Sequence, residues 1–332
     1  MTPLQWGISE QAQKTQGKYP AACSGKRVRG LPWGLIPFIL LMLINQNVMG
    51  SESEKNLQSH VFYLADKIGE RNFICDKQLE SAAEYIFGEF ENYGYKPYNQ
   101  FYEMEKKKYR NIIAEKKGNS EIIVIGAHYD SFVGSPGADD NASAVAGLLE
   151  IARTIKNIDT KKTVRFVAFT NEEPPFFYTE NMGSRIYANE SRRKKEKIIG
   201  MISLEMIGYY TEKKQKYPLF LGLIYPKQGN YIALMSDIIS SGFARRIKKY
   251  FKRHSNFNIR MLIAPRIFSP INLSDNSSFW LAGYKAVMIT DTAYFRNPNY
   301  HSHTDTADKL DYKSMAEVVG GLLKTIIELA NE

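Results

Sequence analysis

Stretches of helical period alternate with short, unbroken apolar runs of strand length from about residue 56 to the C-terminus. Residues 56–70 and 77–94 carry apolar side chains at helical spacing: Val61, Leu64 and Ile68, then Leu79, Ala83, Ile86 and Phe90. Residues 111–115 and 122–127 read as strands on either side of the turn-like Lys117-Gly118-Asn119-Ser120. An apolar helix over 142–155 precedes a buried strand over 164–170. Further strands are expected at 198–206, 219–224, 259–263 and 286–290. Helices are expected as one long basic segment over 232–251, around 277–281, and over 314–329. Helices between strands that are apolar on both sides require a largely parallel sheet covered on both faces. The predicted class is α/β, a three-layer α/β/α sandwich with a mixed, mainly parallel central sheet. Such sheets build their sites in loops beyond the carboxyl ends of the strands.

Five places in this chain put His, Asp or Glu at such a strand end. The strand over 122–127 runs into His128-Tyr129-Asp130-Ser131, and a loop rich in Gly and Pro leads on to Asp139-Asp140-Asn141. The strand over 164–170 runs into Asn171-Glu172-Glu173-Pro174-Pro175, and the strand around Ile202 ends in Glu205. The strand over 287–290 is followed, after a loop, by His301-Ser302-His303-Thr304-Asp305-Thr306. Singly these are weak signals, because Asp140 also reads as a helix N-cap and a Glu pair as a helix start. Jointly they are what a metal site in a parallel sheet needs, and imidazole with carboxylate suits zinc or another divalent ion.

The sequences GAHYDS, PGADDNASA, TNEE, SLEMIGYY and YHSHTDTADKLDY, in this order, resemble the family-28 metallopeptidases. That family includes secreted bacterial di-zinc aminopeptidases, glutamate carboxypeptidases and glutaminyl cyclases. The resemblance implies two zinc ions per chain. It makes His128 a ligand of the first, Asp140 the bridge, Glu205 the remaining ligand of the first, and Glu173 and His301 ligands of the second. It makes Glu172 the general base. Asp130 is expected to accept the other ring proton of a ligand histidine and so fix its tautomer. Asp139 is passed over for the acid directly before Asn141, and His303 for the histidine four residues before Asp305-Thr306. Two departures stand out: Glu205 replaces an Asp, and Ser274-Asp275-Asn276 replaces an Asp-His pair.

The activity so implied is hydrolysis of N-terminal residues from peptides, the chain being short like the secreted aminopeptidases. The alternatives are a carboxypeptidase or dipeptidase of the same family, a single-zinc glutaminyl cyclase-like acyltransferase, and a binding protein on the same fold. The cyclases carry Ser after the second-motif Asp where this chain has Asn141. Decay to a binding protein is opposed by the retention of every ligand position.

The chain has 332 residues, room for one large domain but not for two enzymes. Residues 1–50 read as a basic region followed by an apolar signal peptide or anchor, and 51–332 as the catalytic domain. Lys26, Arg27 and Arg29 precede an uncharged run over 31–44, short for a span of about 20 residues and broken by Pro32 and Pro37. The expected location is therefore outside the cytoplasm, exported or held by the anchor as the only membrane attachment. Cys23 and Cys75 are too few for a disulfide framework or a thiolate metal site. The net charge of +9 is spread over short clusters such as 245–249, read as solvated surface rather than a nucleic-acid footprint. The expected partners are peptide substrates.

Overall fold

The computed structural model describes residues 50–215 and 226–332. The expected strand over 219–224 and the apolar segment over 31–44 lie outside the described residues. Among the described residues no helix is long and apolar enough to cross a membrane.

Eight strands form one sheet in the order β1-β2-β4-β3-β5-β10-β8-β9. These are β1 (Tyr98–Met104), β2 (Lys107–Lys116), β3 (Asn119–His128), β4 (Lys162–Phe169), β5 (Lys197–Glu205), β8 (Ile232–Asp237), β9 (Ile259–Ala264) and β10 (Ala286–Thr290). β6 (Thr211–Lys214) and β7 (Gln228–Gly229) make a separate small ribbon. The central strands β4, β3, β5 and β10 run parallel, as do β8 and β9. β1, β2 and the β10–β8 pairing are antiparallel, so the expected mixed, mainly parallel sheet is what forms.

Side chains alternate across each strand, and the apolar runs therefore feed two cores. On one face Ile123, Ile125, Ile202, Leu204, Val287 and Ile289 pack beneath α2 (Asp76–Asn92), α3 (Ala144–Ile155), α5 (Ser241–His254) and α7 (Tyr312–Asn331). Ahead of α2, α1 comprises helical residues 50–61 and a wider turn, Phe62–Ile68. On the other face Val124, Val167, Met201 and Met288 pack beneath α4 (Gly183–Arg193) and α6 (Asn276–Leu281). These are the three layers.

One expectation fails. Residues 232–251 are not a single helix: Ile232–Asp237 is strand β8, and the helix begins only at Ser241. The run Ile-Ala-Leu-Met is short and wholly apolar, which periodicity cannot assign. Pairing with β10 on one side and β9 on the other buries all six residues of the strand and decides it. The β1 strand and the α4 helix carried no period clear enough to be expected.

Register explains how the polar strand ends meet. His128 pairs with Phe169 across β3 and β4, Gly126 with Ser203 across β3 and β5, and Thr290 with Glu205 across β10 and β5. His128, Glu205 and the segment after Phe169 therefore leave the sheet along one rim.

Candidate metal centre

At that rim the side chains form two adjoining groups, His128 with Glu172 and Glu205, and Asp140 with Glu173 and His301. Asp140 joins them: its Oδ1 lies 3.4 Å from Nε2 of His128 and its Oδ2 3.3 Å from Nε2 of His301. Glu205 Oε2 is 3.4 Å from His128 Nε2, and Glu173 Oε2 is 3.4 Å from His301 Nε2. Glu172 stands further back on the His128 side, its Oε2 3.9 Å from the ring nitrogen. All five residues expected as ligands are thus gathered. Glu172 and Glu173 go to different sides, as neighbours in an extended segment should.

These distances test the fit of a metal. A tetrahedral zinc ion with N and O ligands at about 2.0–2.2 Å holds them about 3.4 Å apart. The four ring-to-carboxylate separations at His128 and His301 match that edge. Nε2 of His128 and Oε1 of Glu173 are buried with no hydrogen-bond partner among the described residues, which is costly unless a cation meets them. The donor set of imidazoles and carboxylates is the one such ions take.

Electrostatics point the same way. Burial pushes Glu173 up to about 8, with Asp140 beside it adding to the rise. Burial raises Glu172 and Glu205 too. Burial alone would lower the His128 ring, but Glu172 and Glu205 carry it well above the imidazole range. Burial would also raise Asp140, yet both histidines hold it below the usual carboxylate range. Such a crowd of acids around two rings has an excess of negative charge that divalent cations neutralise.

The backbone holds this arrangement from several directions. Asp130 accepts hydrogen bonds from Glu172 N (3.2 Å) and Glu173 N (3.0 Å), fixing both glutamates. Its carbonyl oxygen and Oδ1 lie 3.2 Å and 3.5 Å from Nδ1 of His128. A proton on Nδ1 then leaves the Nε2 lone pair facing the centre. Asp305 accepts from the backbone of Asp139 and Asp140. Gly137 has φ +61°, and a Cβ there would fall 2.3 Å from the Asp140 carbonyl oxygen. His301 lies between the rings of Phe132 and Tyr300, with centroids 3.9 Å and 3.7 Å away.

The chain from 111 to 326, well over half its length, matches the profile of peptidase family M28. It is 36% identical over 305 residues to the Escherichia coli K12 protein YfbL, covering 87% of this chain and 94% of that one. The chain belongs to peptidase family M28. As a member it is a peptidase, a hydrolase of peptide bonds. Aminopeptidase YwaD of Bacillus subtilis is 32% identical over 127 residues, which is 37% of this chain and 26% of YwaD. The solved structure of BSAP, a zinc aminopeptidase from Bacillus subtilis, shares the fold with TM-score 0.67 at 14% identity, covering 84% of this chain and 95% of that one.

In this M28 chain several contributors to the centre were not expected. Ser274 donates to Glu205 Oε2 across 2.7 Å, so the departure at 274–276 reaches a residue expected as a ligand. Asp275 is buried nearby and pushed up to about 7, chiefly by burial. Arg71 is fully buried and donates to the carbonyls of Tyr129 (2.8 Å), Gly69 (3.2 Å) and Gly137 (2.8 Å), bracing the loop that leads to Asp140. Burial brings its guanidinium down to about 10, with Asp130 the strongest opposing charge. Asp139 stays outside both groups, but it is no idle neighbour: it accepts from Gly208 N and Asn297 Nδ2 (2.9 and 2.7 Å). His303 is exposed and His254 pairs with Glu328 at 2.8 Å, both away from the centre.

Proposed function

We propose that this peptidase is a zinc aminopeptidase that holds two ions, with Asp140 as the bridge and Glu172 as the general base. The observation that carries the reading is the division of Asp140, one oxygen toward each histidine at 3.3–3.4 Å. A single ion would need only one of these halves. His128 and Glu205 would complete one ligand set, Glu173 and His301 the other. The resemblance of the sequence to aminopeptidases such as YwaD supports the choice of peptide end.

Bound ions would acidify a water and stabilise the oxyanion that develops on the scissile carbonyl. The rest falls to the chain. Glu172, set back from the ring nitrogen and with its pKa raised by burial, accepts the proton of the attacking water and delivers it to the leaving amine. Asp130 holds the Glu172 backbone and the His128 tautomer while this happens. Met235, Leu273, Met288, Thr290, Tyr294 and Tyr300 line the cleft that opens beside Glu205, and this largely apolar wall fits an apolar N-terminal side chain.

The test is a panel of leucyl, lysyl and glutamyl p-nitroanilides, with peptides blocked at either end, run beside metal quantification. Leucyl substrate should be cleaved, N-acetylation should abolish cleavage, and two ions should be found per chain. Activity should vanish with chelator and return with zinc. Cleavage of N-blocked peptides from the carboxyl end would replace the aminopeptidase reading with a carboxypeptidase. One ion with cyclisation of N-terminal glutamine would replace it with the acyltransferase. Export through the segment over 31–44 belongs to the same proposal, and fractionation of cells expressing the full chain tests it.

A further inference from the structure

The basic cluster at 245–249 has no part in the peptidase site, yet the fold organises it. Arg245, Lys248, Lys249 and Lys252 recur at i, i+3, i+4 and i+7 and so share one face of α5. The opposite face, Phe243, Ala244, Ile247 and Phe251, is buried in the core. Burial disfavours the charge of Lys248, and so do its neighbours Lys252 and Arg260, the latter exposed on the edge strand β9. Among the described residues none of these five forms an ion pair. The remaining cations of the helix turn aside: Arg246 pairs with Glu332, and Arg253 with Glu328, at α7.

At its N-terminal end this cationic strip meets exposed hydrocarbon. Ile238 and Ile239, 59% and 69% exposed, connect β8 to α5, and Ile267, 93% exposed, follows β9. Asp237 and Ala264 are register partners, so the two connections leave the sheet at one end. Arg266 ties them together, donating to Asp237 Oδ2 at 2.7 Å and to the Trp280 carbonyl at 3.0 Å, next to exposed Leu281. Lys285, exposed, sits at this same rim, where Ala286 N donates to Ser240 Oγ.

We infer that this corner of the domain docks on an anionic phospholipid surface, its isoleucines entering the headgroup layer and its cations meeting the phosphates. Apolar tips beside uncompensated lysine and arginine fit a bilayer interface. A nucleic-acid strand would call for exposed aromatic rings to stack on, and Phe243, Tyr250 and Phe251 of α5 are buried instead. A second copy of the same face would be repelled. Because β8 runs antiparallel to β10, the isoleucine rim is at the opposite end of the sheet from Glu205 and His128, while Arg260 lies level with Glu205 through Ala233 and Thr290.

The test compares binding of the full chain to vesicles of phosphatidylcholine alone and of phosphatidylcholine with phosphatidylglycerol. Any contribution of the apolar run over 31–44 and of the basic residues before it is common to the unaltered chain and its variants, so the change in the ratio between the two compositions is the readout. Each cation near an anionic surface contributes about fivefold. The K248E/K249E/K252E variant should therefore lose at least about 100-fold in binding to phosphatidylglycerol vesicles and lower the ratio by the same factor. The I238S/I239S variant should weaken that binding by about fivefold, with thermal midpoints unchanged in both variants. A ratio of one for the unaltered chain, or a ratio that survives the three charge reversals, overturns the inference. So does duplex DNA retention that depends on the lysines while I238S/I239S leaves vesicle binding untouched.

Discussion

The Ser274 hydroxyl donates to Oε2 of Glu205 across 2.7 Å, and that same oxygen is the one 3.4 Å from Nε2 of His128. A glutamate here has one more rotatable bond than an aspartate, and the serine removes that freedom. Partners of this kind typically account for 10–100-fold in metal affinity. Ser274→Ala is expected to lower zinc affinity about tenfold, read by competition with a chromogenic chelator, while leaving the thermal midpoint of the metal-free protein within about 2 °C. Unchanged affinity would show that packing alone positions Glu205.

Glu172 and Glu173 are adjacent in the chain but face different imidazoles, which makes their variants separable. Glu172→Gln keeps shape and removes the base, so kcat should fall by about 10²–10⁴-fold with metal content intact. Glu173→Ala should reduce metal content as well, because it removes the carboxylate 3.4 Å from His301. Metal analysis on the same preparations used for kinetics checks both. Full turnover by Glu172→Gln would remove Glu172 from the role of base.

Much of this centre was legible because its residues sit at strand ends, where a strong apolar run marks the element and its last residue. His128 and Glu205 are the final residues of β3 and β5. Ser274, Asp275 and Arg71 gave no such signal, since each reaches the centre from a loop or short helix whose path depends on tertiary packing. Residues 232–251 show the converse problem. Ile-Ala-Leu-Met suits a helix and a buried strand equally, and only the neighbours β10 and β9 settle it.

Arg71 is the residue whose loss should propagate furthest. Its guanidinium satisfies carbonyls of Tyr129, Gly69 and Gly137 at once, in a fully buried position facing Asp130 and Asp305. Removing it leaves several buried carbonyl acceptors unsatisfied at once, a change that costs about 3–5 kcal/mol in sum. At about 2–4 °C per kcal/mol, Arg71→Met should lower the thermal midpoint by roughly 10 °C. Arg71→Lys should recover little, because one ammonium cannot span the fork. Calorimetry of both variants decides it; a lysine that restores the midpoint would make charge, not geometry, the important property.

Arg165 offers a stability test far from the chemistry. Its guanidinium donates to Glu196 at 2.7 and 3.1 Å, to Glu115 at 2.6 Å and to the Tyr187 hydroxyl at 2.8 Å. Burial by itself would raise the Glu196 pKa, but the Arg165 hydrogen bonds and charge bring it below the usual carboxylate value. A depressed folded pKa contributes stability above the unfolded value of about 4.3, and that stability is lost as pH falls through the folded pKa. Glu196→Gln should therefore cost about 1–2 kcal/mol at pH 7, a midpoint lower by roughly 3–6 °C. The gap should close toward pH 3, where the native glutamate is protonated too. Activity should be unaffected, because Glu196 precedes β5 while Glu205 ends it, about 30 Å along the strand. An equal gap at pH 3 and pH 7 would assign the loss to packing around Arg165 rather than to the ionised pair.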